Sequence, residues 1–314
     1  MTDEDPPVEE LFGLLGNETR MRIVRALWTE FDFSAYVTES REGTPFATLR
    51  ERTGVGDSGN FNYHLGQLSG ILVEDREDGY VLTPLGYNLM RAIERYATFE
   101  YDTVDEQVLD DPCPFCGGDL IADYRREILG VRCRDCPGLA VDGNFTFVQL
   151  PATGARHLSM PELLDAATLA MFSKITASFH GVCWECRAPM EHTFEVCEEH
   201  EPGPEGICDV CDLRYRTLIR AACSNCGTSG RGPILEYAIV SSAVRTLFSD
   251  AGFGPEQVGP WNYRLTAFES VADTTVETDP VAVKIAFELD GRTEYVRVED
   301  GPERVSIEVL RGES

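Results

Sequence analysis

The chain has 314 residues and a formal net charge of −27, with 54 acidic residues against 27 basic ones. That length predicts two or three domains. The most apolar window, residues 163–179, contains Asp165 and Lys174 and is too short to span a bilayer, and the acidic start MTDEDPPVEE lacks the apolar stretch of a signal peptide, so the expected location is the cytoplasm, with no membrane partner. Only Lys174 and Lys284 are lysines, a composition suited to molar salt. An acidic chain elsewhere argues against nucleic acid as a partner, but at a Debye length of about 3 Å that global repulsion hardly reaches a duplex.

After the acidic tail, residues 8–32 read as two helices. Leu11, Leu14 and Leu15 form one apolar face, Asn17 or Thr19 caps the second helix, and Ile23, Val24, Ala26, Leu27 and Trp28 face a core. A linker with Gly43 and Pro45 leads to a short helix, Phe46 to Thr53, then a Gly-Val-Gly turn. Asp57 or Ser58 caps a further helix with Phe61, Leu65 and Leu68 on its inner side. Ile71 to Val73 and Tyr80 to Leu82 pair as a hairpin. Thr83 caps a last helix with Pro84 at its first position, whose stripe of Leu85, Leu89, Ile93 and Tyr96 is either core or a dimer seam. Helix, helix, short helix, turn, helix, hairpin is the order of a winged helix-turn-helix.

Residues 102–111 read as an acidic linker. Beyond them lie all eleven cysteines. Five CxxC pairs, Cys113/Cys116, Cys133/Cys136, Cys183/Cys186, Cys208/Cys211 and Cys223/Cys226, are joined by Cys197 and His200 in a CxxH, giving twelve potential ligands, enough for three tetrahedral zinc sites. In a reducing compartment such spacing points to metal rather than disulfides. The set at 113–136 is well separated and pairs with itself as a zinc ribbon, with strands between Leu120 and Val131 and Gly117 free to take the positive φ of a knuckle. The field at 183–226 leaves two partitions open. One is sequential; the other nests Cys197, His200, Cys208 and Cys211 inside Cys183, Cys186, Cys223 and Cys226. The tip, CEEHEPGPEGICDVC, builds no core of its own and needs a staple. Thiolates and one histidine fill all three spheres, so the zinc is structural and not catalytic. His180 and His192 read as surface histidines. Arg125, Arg126, Arg132 and Arg134 make a basic cluster on the first ribbon, either an accessory nucleic-acid surface or a solvated strand face.

Between and after the ligands, Ser159-Met160-Pro161-Glu162 is a capping box opening a helix to about Ser178. Residues 234–251 read as one helix. Residues 261–310 alternate as strands, with Val281, Val283, Ile285, Phe287 and Leu289 on one face and a hairpin turn at Asp290-Gly291. Phe253, Trp261, Tyr263 and Phe268 are core or pocket-lining aromatics.

The segments LFGLLGNETRMRIVRAL and SGNFNYHLGQLSGILVEDREDGYVLTPLG resemble ArsR-type winged-helix transcriptional regulators, the haloarchaeal branch in particular. The resemblance implies double-stranded DNA as partner, a homodimer, and residues 57–68 as the recognition helix. Its outward residues are Ser58, Asn60, Asn62, Tyr63, His64 and Gln67; Asn and Gln suit bidentate contact with adenine. Arg20, Arg22, Arg25, Arg50 and Arg52 are candidate phosphate contacts. Residues 17–73 hold six arginines against seven acids, a local relaxation of the acidic excess. The resemblance also favours the nested partition of the second cysteine field, and extends to a C-terminal helix followed by a small β-rich module, a place for an unknown ligand or protein partner. The first 112 residues hold no cysteine, so the metal sensing of that family is not carried over.

The expectation is an α+β chain: a winged helix-turn-helix over 1–101, a zinc ribbon over 102–150, a helix and a two-site zinc-binding region over 151–232, and a C-terminal α+β domain over 233–314. No nucleophile elbow, Gly-rich phosphate loop or His–carboxylate pair is present in the sequence, so an enzyme is not expected. The alternatives to a regulator are a zinc-stapled interaction scaffold, or a redox or zinc-occupancy sensor.

Overall fold

The computed structural model describes residues 8–29, 42–96, 103–139, 144–252, 272–278, 281–289, 291–299 and 305–310. The protein is mixed α+β, with small antiparallel sheets, and divides into two compact units, Met1–Phe99 and Glu100–Ser314. No helix among the described residues is long and apolar enough to cross a membrane.

In the first unit, α1 (Val8–Leu15) and α2 (Glu18–Thr29) precede α3 (Phe46–Thr53), α4 (Ser58–Leu68), the strands β1 (Val73–Arg76) and β2 (Gly79–Leu82), and α5 (Pro84–Tyr96). The Asn17 side chain accepts the Arg20 N–H at 3.1 Å and so caps α2. Gly54, left-handed at φ 69°, ends α3. Asp57 caps α4 by accepting the Asn60 N–H at 2.7 Å. Ile23, Val24, Leu27, Leu49, Phe61, Leu65, Leu68, Leu72 and Met90 fill one core.

The segment ahead of α3 is more than a connection, because Thr44 exchanges both backbone hydrogen bonds with Tyr80 at 2.9 Å each and extends the hairpin. The hairpin strand starts at Val73 rather than Ile71. On α5 the buried residues are Gly86 and Met90; Leu89 and Ile93 flank Met90, while Leu85 is 40 % exposed. Gly86 approaches Leu72 so closely that a Cβ there would collide with the Leu72 carbonyl. The core face therefore turns through Gly86 and Met90 and leaves Leu85 outside. The Tyr96 side chain, like residues 30–41, lies outside what is described.

The second unit begins with a four-stranded antiparallel sheet in sequential order: β3 (Val104–Pro112), β4 (Asp119–Arg125), β5 (Ile128–Cys133) and β6 (Asn144–Gln149). Residues 102–111 are therefore no linker over 104–111, which belongs to an edge strand. Its acids suggested solvent, yet Val104 and Leu109 pack on the sheet's core and the Glu106 carboxylate meets Arg132 at 2.6 Å and Arg134 at 2.8 Å. The short α6 (Ala152–Ala155) and the long α7 (Met160–Phe179) follow. The Glu162 carboxylate accepts the Ser159 N–H at 2.8 Å, completing the expected box. Met160, Leu163 and Ala167 of α7 pack with Tyr124, Leu129 and Val131 of the sheet.

A three-stranded sheet, β7 (Glu191–Val196), β8 (Thr217–Ala222) and β9 (Ser229–Pro233), carries the second cysteine field. The expected single helix over 234–251 is two, α8 (Ile234–Val240) and α9 (Ser242–Asp250). Ser241 leaves the helical region at ψ 143°, and its hydroxyl accepts the Val244 N–H at 3.2 Å, capping α9. The last sheet is β10 (Ala272–Thr278), β11 (Val281–Leu289), β12 (Arg292–Glu299) and β13 (Ser306–Leu310), again antiparallel in sequential order. Val283, Ile285 and Phe287 of β11 share one apolar core with Ile219 of β8, Ala238 of α8, Phe248 of α9, and Cys113 and Cys133 of the first cysteine set. Phe253, Trp261, Tyr263 and Phe268 fall outside the described residues.

Candidate functional site

Three groups of donors converge: Cys113, Cys116, Cys133 and Cys136; Cys183, Cys186, Cys223 and Cys226; and Cys197, His200, Cys208 and Cys211, with the ligand atoms of each group within 4.8 Å of one another. Of the two partitions the spacing leaves open, the structure has the nested one. Every cysteine is a free thiol. The Sγ atoms of Cys113 and Cys136 lie 3.6 Å apart and those of Cys116 and Cys133 3.5 Å. Cys183 to Cys226 and Cys186 to Cys223 are both 3.6 Å. Four sulfurs held about 2.3 Å from a tetrahedral ion sit about 3.7 Å from each other, so the geometry fits a sulfur-coordinated metal.

Four of the six ligand pairs are built alike because the backbone does the same work in each. The N–H of the residue after the second ligand donates to the carbonyl of the first: Gly117 to Cys113 at 2.8 Å, Arg187 to Cys183 at 3.0 Å, Asp212 to Cys208 at 2.9 Å and Gly227 to Cys223 at 3.0 Å. All four closing residues are left-handed, with φ between 58° and 74°. Glycine takes this conformation freely; Arg187 and Asp212 hold it against the Cβ clash. Further N–H groups point at the sulfurs, from Gly118 to Cys116 at 3.4 Å, Asp135 to Cys133 at 3.3 Å and Val210 to Cys208 at 3.4 Å, which favours thiolate.

In the metal-free chain the thiols divide. Burial pushes Cys113 and Cys211 up to about 11, while the Ala188 N–H and the Asn225 side chain bring the exposed Cys186 down to about 6. A metal ion must displace protons from the buried members.

The inner centre differs in its support. Between Cys197 and Arg214 the only buried residue is Cys208. His200 turns Nδ1 to Cys211 Sγ at 3.4 Å, and its Nε2 lies 3.2 Å from the Arg214 carbonyl oxygen. A hydrogen bond from Nε2–H to that carbonyl leaves Nδ1 as the metal-facing lone pair. Arg214 also crosses to the first ribbon. Its Nε donates to the Gly138 carbonyl at 2.8 Å, its guanidinium stands 3.9 Å over the Phe115 ring, and its backbone N–H donates to Leu139 O at 3.1 Å. Phe115 lies inside the Cys113–Cys116 knuckle, so one side chain braces two centres. Nothing in the residue spacing announced Arg214. The recurring left-handed position after the second ligand was readable only where it held glycine.

Three of the four arginines of the first ribbon are held by acids, while Arg126 is exposed and makes no ion pair among the described residues. Arg125 pairs with Asp123 at 2.9 Å, Arg132 with Asp123 at 3.0 Å, and Arg134 with Asp119 at 3.1 Å, besides the contacts to Glu106. These are the contacts of a solvated strand face. His180 is exposed, as expected. His192 is half-buried, with Nε2 3.1 Å from the Ser178 hydroxyl and its ring edge-on to Tyr237.

In the first unit α4 buries Phe61, Leu65 and Leu68 and exposes Ser58, Asn60, Asn62, Gln67 and Tyr63, the last 61 % exposed. His64 is half-buried, its Nδ1 enclosed without a hydrogen-bond partner. Gly66 is exposed on the same helix, and a Cβ added there would meet nothing. Arg20 is committed internally, bonding the Gly13 carbonyl at 2.7 Å and that of Leu14. Arg22 pairs with Glu18 at 2.6 Å on the surface, and Arg25 reaches Glu94 at 3.9 Å. Arg50 is half-buried and Arg52 exposed.

Residues 8–93 match a family model described as a domain of unknown function (DUF7347). No curated protein and no solved structure matches the chain. Residues 110–303, which contain all twelve converging ligands, match a second family model, described as a domain of unknown function (DUF7351), and since that match spans more than half of the chain, the protein belongs to the DUF7351 family.

Proposed function

We propose that the protein is a DNA-binding transcriptional regulator of the ArsR-like winged-helix type, in which α4 enters the major groove and the β1–β2 hairpin is the wing. The observation that carries this reading is the outer face of α4. It offers Asn60, Asn62, Tyr63 and Gln67 to solvent on a helix whose opposite side is locked into the core. Gly66 sharpens it. Glycine inside a helix costs about 1 kcal/mol relative to alanine, and here no neighbour occupies the space a Cβ would take. A bare position on a polar face suits a surface that another molecule must approach closely. With Arg20 tied to α1, phosphate contacts fall to Arg22, Arg25, Arg50 and Arg52. A homodimer formed along α5, where Leu85 is exposed, would place two copies of α4 on two half-sites.

The three donor sets hold structural zinc in this reading. Closed spheres of four thiolates, or three thiolates and an imidazole, suit tetrahedral zinc and leave no open position for catalysis. Elemental analysis of protein purified without added metal is expected to return three zinc ions per chain, matching the three donor groups.

The decisive experiment is selection of bound fragments from genomic DNA in molar KCl, with the intact protein and with an Asn62→Ala/Tyr63→Ala double variant. Enrichment of a shared sequence that vanishes in the variant supports the regulator. No enrichment by folded, zinc-loaded protein replaces it with an interaction scaffold. That second reading already has one observation in its favour, the ion-paired state of Arg125, Arg132 and Arg134.

A further inference from the structure

A cavity of about 570 Å³ opens within the second unit, between β5–β6 on one side and β8–β9 on the other, with α7 and α8 contributing to its wall. Its size falls within the range of small-molecule sites. The wall is mainly apolar. Phe145 and Phe147 come from β6, Ile219 from β8, and Trp184 from inside the Cys183–Cys186 knuckle. The Trp184 ring comes so close to Gly230 that a Cβ there would sit 3.1 Å from the ring's Cη2 atom. Metal bound at Cys183 and Cys186 would thus hold one wall in place.

From α7 the cavity receives Met171, Lys174, Ile175 and Ser178, the i, i+3, i+4, i+7 stripe of one helix face. Ser178 anchors the polar end. Its hydroxyl lies 2.6 Å from the Tyr237 hydroxyl and 3.1 Å from His192 Nε2. Two cations and one acid line the space: Lys174, Arg231 and Glu236. Arg231 is paired with Glu195 at 2.6 Å, outside the lining, and Glu236 packs against Gly232. Lys174 makes no ion pair among the described residues. This is one of only two lysines in the chain, and the other, Lys284, stands 4.2 Å over the Tyr295 ring of the last sheet. The charges about the cavity balance, but Arg231 is held by Glu195, and Lys174 is left as a cation without an ion pair among the described residues in a chain with a formal charge of −27.

We infer that this cavity is a binding site for a small organic anion with an apolar, ring-sized body, the anionic group meeting Lys174 and the body lying against Phe145, Phe147 and Trp184. An ammonium–anion contact is stronger beside an apolar wall than in open water, and here Phe147 is itself 62 % exposed. The inference does not rest on the DNA-binding reading and is tested without DNA.

The test uses the full, zinc-loaded chain in molar KCl and a pair of fluorescent probes: anilinonaphthalene sulfonate and phenylnaphthylamine, the same aromatic framework without the sulfonate. The sulfonate is expected to bind saturably, one per chain, and about tenfold more tightly than the neutral probe, the size of one charge-assisted contact. Lys174→Met should bring the sulfonate to the level of the neutral probe and leave the neutral probe unchanged, which shows the cavity still folded. Lys284→Met should change neither. Absence of saturable binding, equal affinity of the two probes, an unaffected sulfonate in Lys174→Met, or loss of both probes together would each overturn the inference.

Discussion

The two all-cysteine centres and the inner centre share a knuckle geometry but not a foundation. Cys113 and Cys133 belong to the main apolar core of the second unit, and Cys183 and Cys223 sit in a small cluster with Met190 and Ala221. The inner centre has Cys208 alone buried between Cys197 and Arg214. Metal in the first two would complete a core that side chains have begun. Metal in the third stands in for a core, in a segment whose Gly and Pro content gives the apolar effect little to act on. The same ligand chemistry thus serves two structural purposes, and they should fail differently.

The largest expected effect comes from removing the metal. Zinc contributes on the order of 10 kcal/mol per structural site in isolated zinc-finger peptides. Titration with a chelator, followed by hydrogen exchange, should release the amides of residues 197–214 first. Those of β4, β5 and β8 should open together and later, while α2 and α4, in a unit with no cysteine, keep their protection. Simultaneous loss throughout the second unit would erase the distinction between the centres.

Single ligand replacements come next. Cys133→Ser should lower the stability of the second unit by several kcal/mol, since it breaks a metal site and leaves a polar group within an apolar core. Cys208→Ser should remove one equivalent of zinc and disorder the tip without moving the main denaturant midpoint. Equal midpoint shifts in the two variants would show that the tip is integral to the core.

A smaller change tests the brace. Arg214→Met keeps the stem and loses the guanidinium contacts to Gly138 and Phe115, worth about 1–3 kcal/mol together. Exchange at Cys208 and Leu213 should quicken with the zinc content unchanged. The finest probe is the left-handed position. Arg187→Gly should stabilise its knuckle by about 0.5 kcal/mol, the relief of the Cβ clash less the entropy of glycine. Asp212→Gly at the tip should gain less, because aspartate tolerates that conformation.

The ligand pairs were legible in the sequence because a knuckle is local: two thiols on one turn need only four residues, and Gly117 and Gly227 mark two of the turns outright; which pairs share a centre within 183–226 was not fixed by spacing. The caps at Asn17, Asp57 and Ser159 were legible for the same reason. Strand β3 was not, since its acids read as solvent until Arg132 of β5 and Arg134 just beyond it arrive, more than twenty residues on. The break at Ser241 was hidden in an apolar run that suits one helix as well as two. Arg214, His192 and Lys174 gained their meaning only from partners brought in by the fold. Local chemistry is written in spacing, whereas a brace, a half-buried hydrogen bond or a cavity wall exists only after the sheets have met.

All eleven thiols lie in the second unit, and the core of the first is made wholly of its own residues. Reactive damage therefore has a fixed address. An oxidant, an alkylating agent or a competing soft metal finds every one of its cysteine targets beyond Pro112, and the exposed sulfurs of Cys116, Cys186 and Cys226 meet it first. The helices of the first unit carry no thiol to lose, so thiol-directed chemistry leaves their covalent structure intact.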